Sequence, residues 1–466
     1  MSIHIYNSLT RKKEEFLPLN PPKANIYTCG VTVYDESHIG HARSLYIFDL
    51  IRRYLVCRGF KVKFVRNITD IDDKIINRAR ELNLDWRLLV KKYIARYYED
   101  LEALGIAKAD FEPRATDNIP DMIKYISGLI EKGYAYNTPS GVYFNVRKFK
   151  DYGKLSGQSI EEMLTGVRKG SEESKNDPLD FALWKASKPG EPSWGSPWGA
   201  GRPGWHIECS VMSQKFLKAE TLDIHAGGRD LIFPHHENEI TQAEALTGKP
   251  FAKYWIHHGL LTINNQKMAK SSGNFITIKD FLTKYSDADI LKLFFLSAHY
   301  SHPIDYNEAK VEETKQALSR LHILMDKLAK AGLRGGWFVR AKKIKEIEGI
   351  KAKFFAAMDD DFNTPEGLAA IFELVNLTNK NIENKDFVLS AKCALKELLG
   401  IFGITLSAKR GAIDITDEEI KANIAQRKKA RQDKNFELGD KIRKDLEAQG
   451  VILEDTKDGT SWRRKL

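Results

Sequence analysis

Apolar positions in the first seventy residues fall into three blocks with different periods. KANIYTCGV (residues 23–31) is a short apolar run that closes on glycine and valine, which predicts a buried strand. In HIGHARSLYIFDLIRRYLVCRG (38–59), Leu45, Phe48, Ile51 and Leu55 recur at helical spacing, with Gly59 as the stop signal. KVKFVRNITD (61–70), with Val62, Phe64 and Ile68, predicts a second strand. Strand, helix and strand in close succession form a βαβ unit, so an α/β fold on a parallel sheet is expected. Helical segments continue to about residue 135. From Pro178 to Trp205 proline and glycine crowd a stretch that also holds Trp184, Trp194, Trp198 and Trp205. That density predicts an irregular insertion pinned to the core by tryptophans. Strand patterns return at LDIHAGG (222–228) and YWIHHGLLTI (254–263). From about residue 308 the spacing is helical, through LSRLHILMDKLAKAG, GLAAIFELVNLTNK and CALKELLGIFG. A charged helix pair and a short hairpin near DTKDGTSW are expected after Asp417.

Composition sharpens this outline. At 466 residues with 42% hydrophobic positions, two or three domains with real cores are expected. No apolar run reaches the roughly 20 residues of a membrane span, and MSIHIYNSLTRKKEEF lacks a signal-peptide core, so a soluble cytoplasmic protein is expected. Four scattered cysteines, Cys29, Cys57, Cys209 and Cys393, form no disulfide framework and fit a reducing compartment. A net charge of +10 is compatible with a polyanionic partner. The stretch from Gly411 to Leu466 nonetheless carries 13 basic and 12 acidic residues and is no basic block. Within it, Arg427, Lys428, Lys429 and Arg431, and then Arg463, Arg464 and Lys465 beside Trp462, are candidate contacts to phosphates and an unpaired base.

Three motifs carry candidate chemistry. His38, Gly40 and His41 sit between strand and helix, where free N–H groups and the helix dipole suit phosphate. Lys267 and Lys270, in NNQKMAKSSGN, lie in an Asn-, Ser- and Gly-rich loop able to close over a polyphosphate. FPHHENE (233–239) opens with a proline suited to a helix start, which would place His235 and Glu239 on one face at i and i+4. Cys29 and Cys209 could complete a zinc-type set at the carboxyl edge of the sheet, although His236 and Glu237 compete for the same roles.

The pair HIGH and KMAKS resembles the signatures of class I aminoacyl-tRNA synthetases. YTCGVTVYDESHIGHARS, RNITDIDDKI, GRPGWHIECS, FPHHENE, MDDDFNTPEGL and GVILEDTKDGTSWRR, in this order, are similar to the cysteinyl-tRNA synthetase family over nearly the whole chain. One departure is Ala269, which stands where the family's lysine loop carries a serine. The resemblance implies a Rossmann-like catalytic domain over residues 1–307, with an insertion at about 108–205 and the lysine loop at about 264–274. It also implies a helical domain at 308–410 that binds the anticodon arm, and a small tRNA-binding domain at 411–466. The implied activity is ATP-dependent ligation of cysteine to tRNA(Cys) through cysteinyl-adenylate, by a monomer using one Zn²⁺ per chain and Mg²⁺ with ATP. The implied ligands of zinc are Cys29, Cys209, His235 and Glu239. His38, His41, Lys267 and Lys270 would act on the phosphates, Gly40 and Asp230 would bind ATP, and Gly30, Thr69 and Trp205 would line the cysteine pocket. A zinc ion would choose thiol over hydroxyl by bond chemistry and need no editing pocket. Two alternatives follow: a mycothiol-type ligase that joins cysteine to an amino sugar, with no use for the tail, and a zinc-stabilised RNA-binding protein, which leaves the paired signatures idle.

Overall fold

The computed structural model describes residues 2–166, 175–268, 273–330, 342–406, 416–448, 451–456 and 459–464. A hairpin of β1 (His4–Asn7) and β2 (Lys12–Glu15) opens the chain. The expected βαβ unit follows as β3 (Lys23–Thr32), α1 (Ile39–Cys57) and β4 (Lys61–Thr69), with β3 and β4 parallel. Leu45, Phe48, Ile51 and Leu55 are all buried, as helical spacing on one face requires. Two helices, α2 (Asp73–Glu81) and α3 (Trp86–Ala103), are each N-capped by an aspartate, Asp72 and Asp85.

Next come α4 (Ile119–Glu131), β5 (Ala135–Thr138), β6 (Gly141–Phe144), α5 (Ile160–Gly166), β7 (Phe181–Ala186) and β8 (Gly201–Pro203). The four strands form a separate antiparallel sheet in the order β5-β6-β7-β8. This corrects the expectation of irregular structure from Pro178 to Trp205. Phe181, Leu183 and Trp184 are buried, and most of the breakers fall in the connection between β7 and β8. Pro203 is tolerated because β8 is an edge strand, where a missing N–H costs no ladder bond.

The chain then returns through α6 (Trp205–Leu217), β9 (Leu222–Gly228), α7 (Glu237–Thr247) and β10 (Ala252–His258). The main sheet has the order β10-β9-β3-β4 and is parallel throughout. Residues 254–263 are not one strand. β10 stops at His258, and β11 (Leu261–Ile263) joins a second small sheet with β12 (Gln266–Lys267) and, after α8 (Ile278–Tyr285) and α9 (Ala288–Leu296), with β13 (Ile304–Tyr306). The break falls at Gly259, where a Cβ would lie 2.2 Å from the His302 carbonyl group, so main chain crosses main chain there.

Four helices follow: α10 (Glu308–Lys330), α11 (Lys345–Asp359), α12 (Thr364–Lys380) and α13 (Lys385–Ile401). Their apolar faces share one core with α1, through residues such as Phe354, Phe362 and Phe402. MDDDFNTP forms the turn that ties them to α1, the N-terminal hairpin and the segment before β13. The Tyr54 hydroxyl donates to Asp359 (2.6 Å), Lys13 pairs with Asp360 (2.6 Å), and Asp361 accepts from Tyr6 N–H (2.9 Å) and the Tyr300 hydroxyl (2.7 Å). The tail holds α14 (Asp417–Gln432), α15 (Phe436–Ala448) and a hairpin of β14 (Val451–Thr456) and β15 (Gly459–Arg464) around a small core of Ile420, Ile442, Leu446, Val451 and Leu453. Arg427 does not fit the role of phosphate contact. It is 2% exposed and grips Asp455 with both terminal nitrogens at 2.8 and 2.9 Å. Trp462 is half-buried against the same small core. Among the described residues no helix is long and apolar enough to cross a membrane.

Candidate active site

β3 and α1 meet at the histidine signature, and the signature caps its own helix. His38 is the N-cap residue of α1, and its Nδ1 accepts from the N–H groups of Gly40 (3.1 Å) and His41 (3.2 Å). His41 Nδ1 in turn accepts from His38 N–H at 3.4 Å, which closes a capping box built from imidazoles. The two rings stack at 3.7 Å. A nitrogen that accepts carries no proton, so both rings hold theirs on Nε2. Burial, with the neighbouring His38 adding, keeps His41 well below the ordinary imidazole range, so it is neutral at pH 7. Gly40 lies flat under this pair: a Cβ there would sit 2.9 Å from the His38 ring and 3.6 Å from the Met268 methyl.

The lysine loop returns to the same place. Lys267 ends β12 and is exposed, and Asn274 donates to its carbonyl at 3.1 Å. Lys270, with Ala269 and Ser271, lies outside the described residues. Beyond the loop, Ile276 O accepts from Ile39 N–H (3.1 Å) and Ser37 O from Ile278 N–H (2.9 Å), which stitches the loop's far end to the histidine signature.

Cys29, Cys209, His235 and Glu239 converge from β3, α6, the turn before α7, and α7. That turn differs from the expected helix start. Ile232–His236 form a π-type turn interrupted by an extended Phe233 (φ −135°, ψ 133°), and the regular α-helix runs from Glu237, so Pro234 is not its first residue. The i, i+4 relation survives, with His235 Nε2 2.9 Å from a Glu239 oxygen. Three further edges are 3.7 Å between the two sulfurs, 3.6 Å from Cys209 Sγ to His235 Nε2, and 3.4 Å from Cys29 Sγ to Glu239, and all four ligand atoms lie within 4.8 Å of one another. Tetrahedral zinc, with bonds of about 2.3 Å to sulfur and about 2.0–2.1 Å to nitrogen, spans edges of about 3.8 Å between sulfurs and about 3.6 Å between sulfur and nitrogen. The donor set and the two edges that meet at Cys209 therefore fit that ion, and the His235–Glu239 edge would open by a few tenths of an ångström. A second group, Cys29, His225, His236 and Glu239, shares two of these residues, with His236 Nε2 3.2 Å and His225 Nε2 3.7 Å from Cys29.

The surroundings explain how four such groups are kept together. His206 Nδ1 lies 2.9 Å from His235 Nδ1 and directs Nε2 of His235 toward Cys209 and Glu239. Burial and then the charge of His235 hold His206 itself far below the usual range. Burial opposes ionisation of Glu239, yet His225 and His235 overcome it and hold the carboxyl well below the carboxylate range. Burial opposes protonation of His235 as well, but Glu239 facing it raises the imidazole to about 10. His236 Nδ1 contacts His257 Nε2 at 2.8 Å, and His257 Nδ1 reaches the Ser8 hydroxyl at 2.8 Å. Glu237 faces away and anchors the insertion by accepting from Leu155 N–H (3.1 Å) and Ser156 N–H (2.8 Å). His257 and His258 do not share a face, because successive residues of a strand alternate. His258 sits edge-on to Phe48 instead.

The expected pocket residues border this cluster. The Trp205 ring stacks on His235 at 4.1 Å and is 37% exposed. Thr69 is buried and donates to Glu208 at 2.9 Å. Gly30 N–H donates to the Asn67 side chain at 2.8 Å, and a Cβ on Gly30 would fall 1.5 Å from the Asn67 carbonyl oxygen. Asp230 is exposed just past the carboxyl end of β9. Asn67 and Glu208 escaped the sequence reading. Their signal was a polar residue inside a strand pattern and an acid next to a candidate metal cysteine.

A parallel sheet whose first crossover helix starts at a histidine signature, with a lysine loop stitched beside it, defines a class I aminoacyl-tRNA synthetase. The family model described as "tRNA synthetases class I (C) catalytic domain" matches residues 15–316, and the DALR domain model matches 353–407. The chain belongs to the cysteine–tRNA ligase family. It is 50% identical to the cysteine–tRNA ligase of Geobacillus thermodenitrificans, with 99% of each chain covered, and 49% identical to that of Aquifex aeolicus, with 100% and 99% covered. Among solved structures, a Mycobacterium tuberculosis methionyl-tRNA synthetase with methionyl-adenylate shares the fold at a TM-score of 0.61 and 15% identity, covering 83% of this chain and 91% of that one. An Agrobacterium radiobacter LeuRS in a ternary complex matches at a TM-score of 0.64 and 12% identity, with 84% and 85% covered. The activity is that of a ligase joining cysteine to tRNA with ATP. An amino-sugar acceptor is not favoured, since the relatives match across the tail that such an enzyme would not need.

Proposed function

We propose that the two halves of this site divide the reaction: the buried quartet selects cysteine, and the histidine and lysine signatures drive its adenylation for transfer to tRNA(Cys). The observation that carries the reading is the convergence of Cys29, Cys209, His235 and Glu239 beside Thr69 and Trp205, at the sheet edge that also bears His38 and His41. Cys29, Cys209, His235 and Glu239 would hold a zinc ion, which would supply a thiophilic Lewis acid for the cysteine thiolate and offer a serine hydroxyl no equivalent partner. Shape alone would separate such small side chains by roughly 10 to 200-fold.

Gly30, Thr69 and Trp205 border the amino acid and orient its carboxylate toward ATP. A carboxylate oxygen attacks the α-phosphorus, the bond to the bridging oxygen breaks, and pyrophosphate leaves. The Nε2–H groups of His38 and His41 donate to phosphate oxygens as charge grows, Lys267 and Lys270 bring ammonium groups from the loop, and Mg²⁺ enters with ATP. Gly40 lets the adenine approach the main chain, and Asp230 accepts from the ribose. A hydroxyl of the terminal tRNA ribose then attacks the carbonyl carbon and releases AMP. Residues 1–307 form the catalytic domain with the insertion at about 108–205, residues 308–410 receive the anticodon arm, and residues 411–466 add a second RNA contact. The enzyme acts as a monomer in this reading, and the four free cysteines support the reducing cytoplasm.

Cysteine-dependent ATP–pyrophosphate exchange with parallel metal analysis tests this. Exchange with cysteine should exceed that with serine by at least about 10³-fold, beyond what shape supplies, with one zinc per chain. Equal exchange with serine, or full activity in metal-free protein, would overturn the division of labour.

A further inference from the structure

Arg43 lies two residues beyond His41 on α1 and is completely buried. Among the described residues no carboxylate pairs with it. Its Nη1 donates to the carbonyls of Gly259 (2.7 Å) and Leu260 (2.8 Å), and its Nη2 to those of Tyr300 (3.2 Å) and His302 (2.6 Å). Burial pulls the guanidinium down to about 10, which leaves it cationic at neutral pH. The four carbonyls belong to two crossing segments. One runs from β10 into β11, which turns through Asn264 and Asn265, both at positive φ (50° and 61°), into β12 and Lys267. The other feeds β13, the parallel partner of β11. The segments touch main chain to main chain at Gly259 and His302, so no side chain between them can absorb a shift.

We propose that Arg43 is a positioning residue for adenylate formation: it fixes the root of the lysine loop against the helix that carries the histidine signature. The far end of the loop is already stitched to Ser37 and Ile39, so Arg43 supplies the second anchor. A planar guanidinium can serve four carbonyls at once, whereas a lysine ammonium has three donors on one atom and cannot span the crossing. This inference rests on the assignment of His38, His41 and the loop lysines to the phosphates.

Arg43→Lys, which keeps the charge, is compared with Arg43→Met, Lys267→Ala and the unaltered full-length enzyme. Three measurements are taken: cysteine-dependent exchange, single-turnover transfer from preformed cysteinyl-adenylate to tRNA, and bound metal. An ångström-scale misplacement costs about 100-fold, so Arg43→Lys should lose about that factor in exchange kcat. Its cysteine KM should stay within about threefold, and transfer and metal content should be unchanged, which is the signature of an interaction felt only in the transition state. Exchange kcat within about threefold of the unaltered enzyme would overturn the proposal, as would equal losses in exchange, transfer and cysteine KM. If Arg43→Met does not fold, Arg43→Lys carries the test alone. Full exchange in Lys267→Ala would reject the phosphate assignment itself. Loss in Lys267→Ala with Arg43→Lys intact would reject only the role of Arg43.

Discussion

Two histidine pairs stand at the same edge of the sheet and are held in opposite ways. His38 and His41 are half-buried, and main-chain N–H groups occupy Nδ1 of each, so each ring carries its proton on Nε2. His235 and His236 are fully buried, and other imidazoles occupy their Nδ1 atoms, so their Nε2 atoms face sulfur and carboxylate. The residue type is the same and the chemistry differs, because the partner of the second nitrogen decides what the first can offer. A ring N–H donor suits an anion, and a ring nitrogen set among thiols suits a metal.

Three experiments probe that contrast, beginning with the largest effect. Cys209→Ala should remove most bound metal and lower kcat/KM for cysteine by at least about 10³-fold, since a ligand lost from the inner set costs more than the 10–100-fold typical of its supporting shell. Unchanged metal and cysteine affinity would mean the inner pair serves packing only. His41→Asn should lower exchange kcat by about 10²–10³-fold, the range for one preorganised donor, while metal content stays put. A parallel loss of metal would show that the two pairs are not separable.

The smallest effect concerns the support behind the outer pair. Asp100, on α3, hydrogen-bonds with Ser37, is buried, and has one carboxylate oxygen without a hydrogen-bond partner. Burial, with Glu36 adding, raises its carboxyl to about 7. An unfolded aspartate titrates near about 3.9, so the folded state holds this proton more tightly. Its contribution to stability is full below pH 4 and is lost as pH rises through 7. Asp100→Asn should therefore raise Tm relative to the unaltered protein by about 1–2 °C more at pH 8 than at pH 4. Thermal melts at the two pH values with an identical difference would reject it.

The βαβ unit was legible because Leu45, Phe48, Ile51 and Leu55 mark a helix between two apolar runs. β7 and β8 were not, because a run of prolines and glycines between them dominated the local pattern while Trp184 and Phe181 did the packing. The candidate ligand set was within reach of spacing at His235 and Glu239 only. Cys29 and Cys209 needed the resemblance, since pairing across 180 residues leaves no local period. His236 and Glu237 stayed ambiguous in sequence for a physical reason: adjacent residues in the same turn point to different partners, one to His257 and the other to the insertion. Arg427 misled in the opposite direction, because a basic cluster in sequence carries no sign of which member turns inward.

Gly30 has a consequence for redesign. With the Asn67 carbonyl oxygen 1.5 Å from where its Cβ would be, any other residue must push β4 away from β3, and with it Asn67 and Thr69. That wall is main chain, so its contour cannot be retuned one side chain at a time. On the proposed assignment of Gly30 and Trp205 to the cysteine pocket, directed evolution toward bulkier thiol amino acids would have to enlarge it at Trp205, whose ring is partly open to solvent, and Gly30 would act as a stop on the other side.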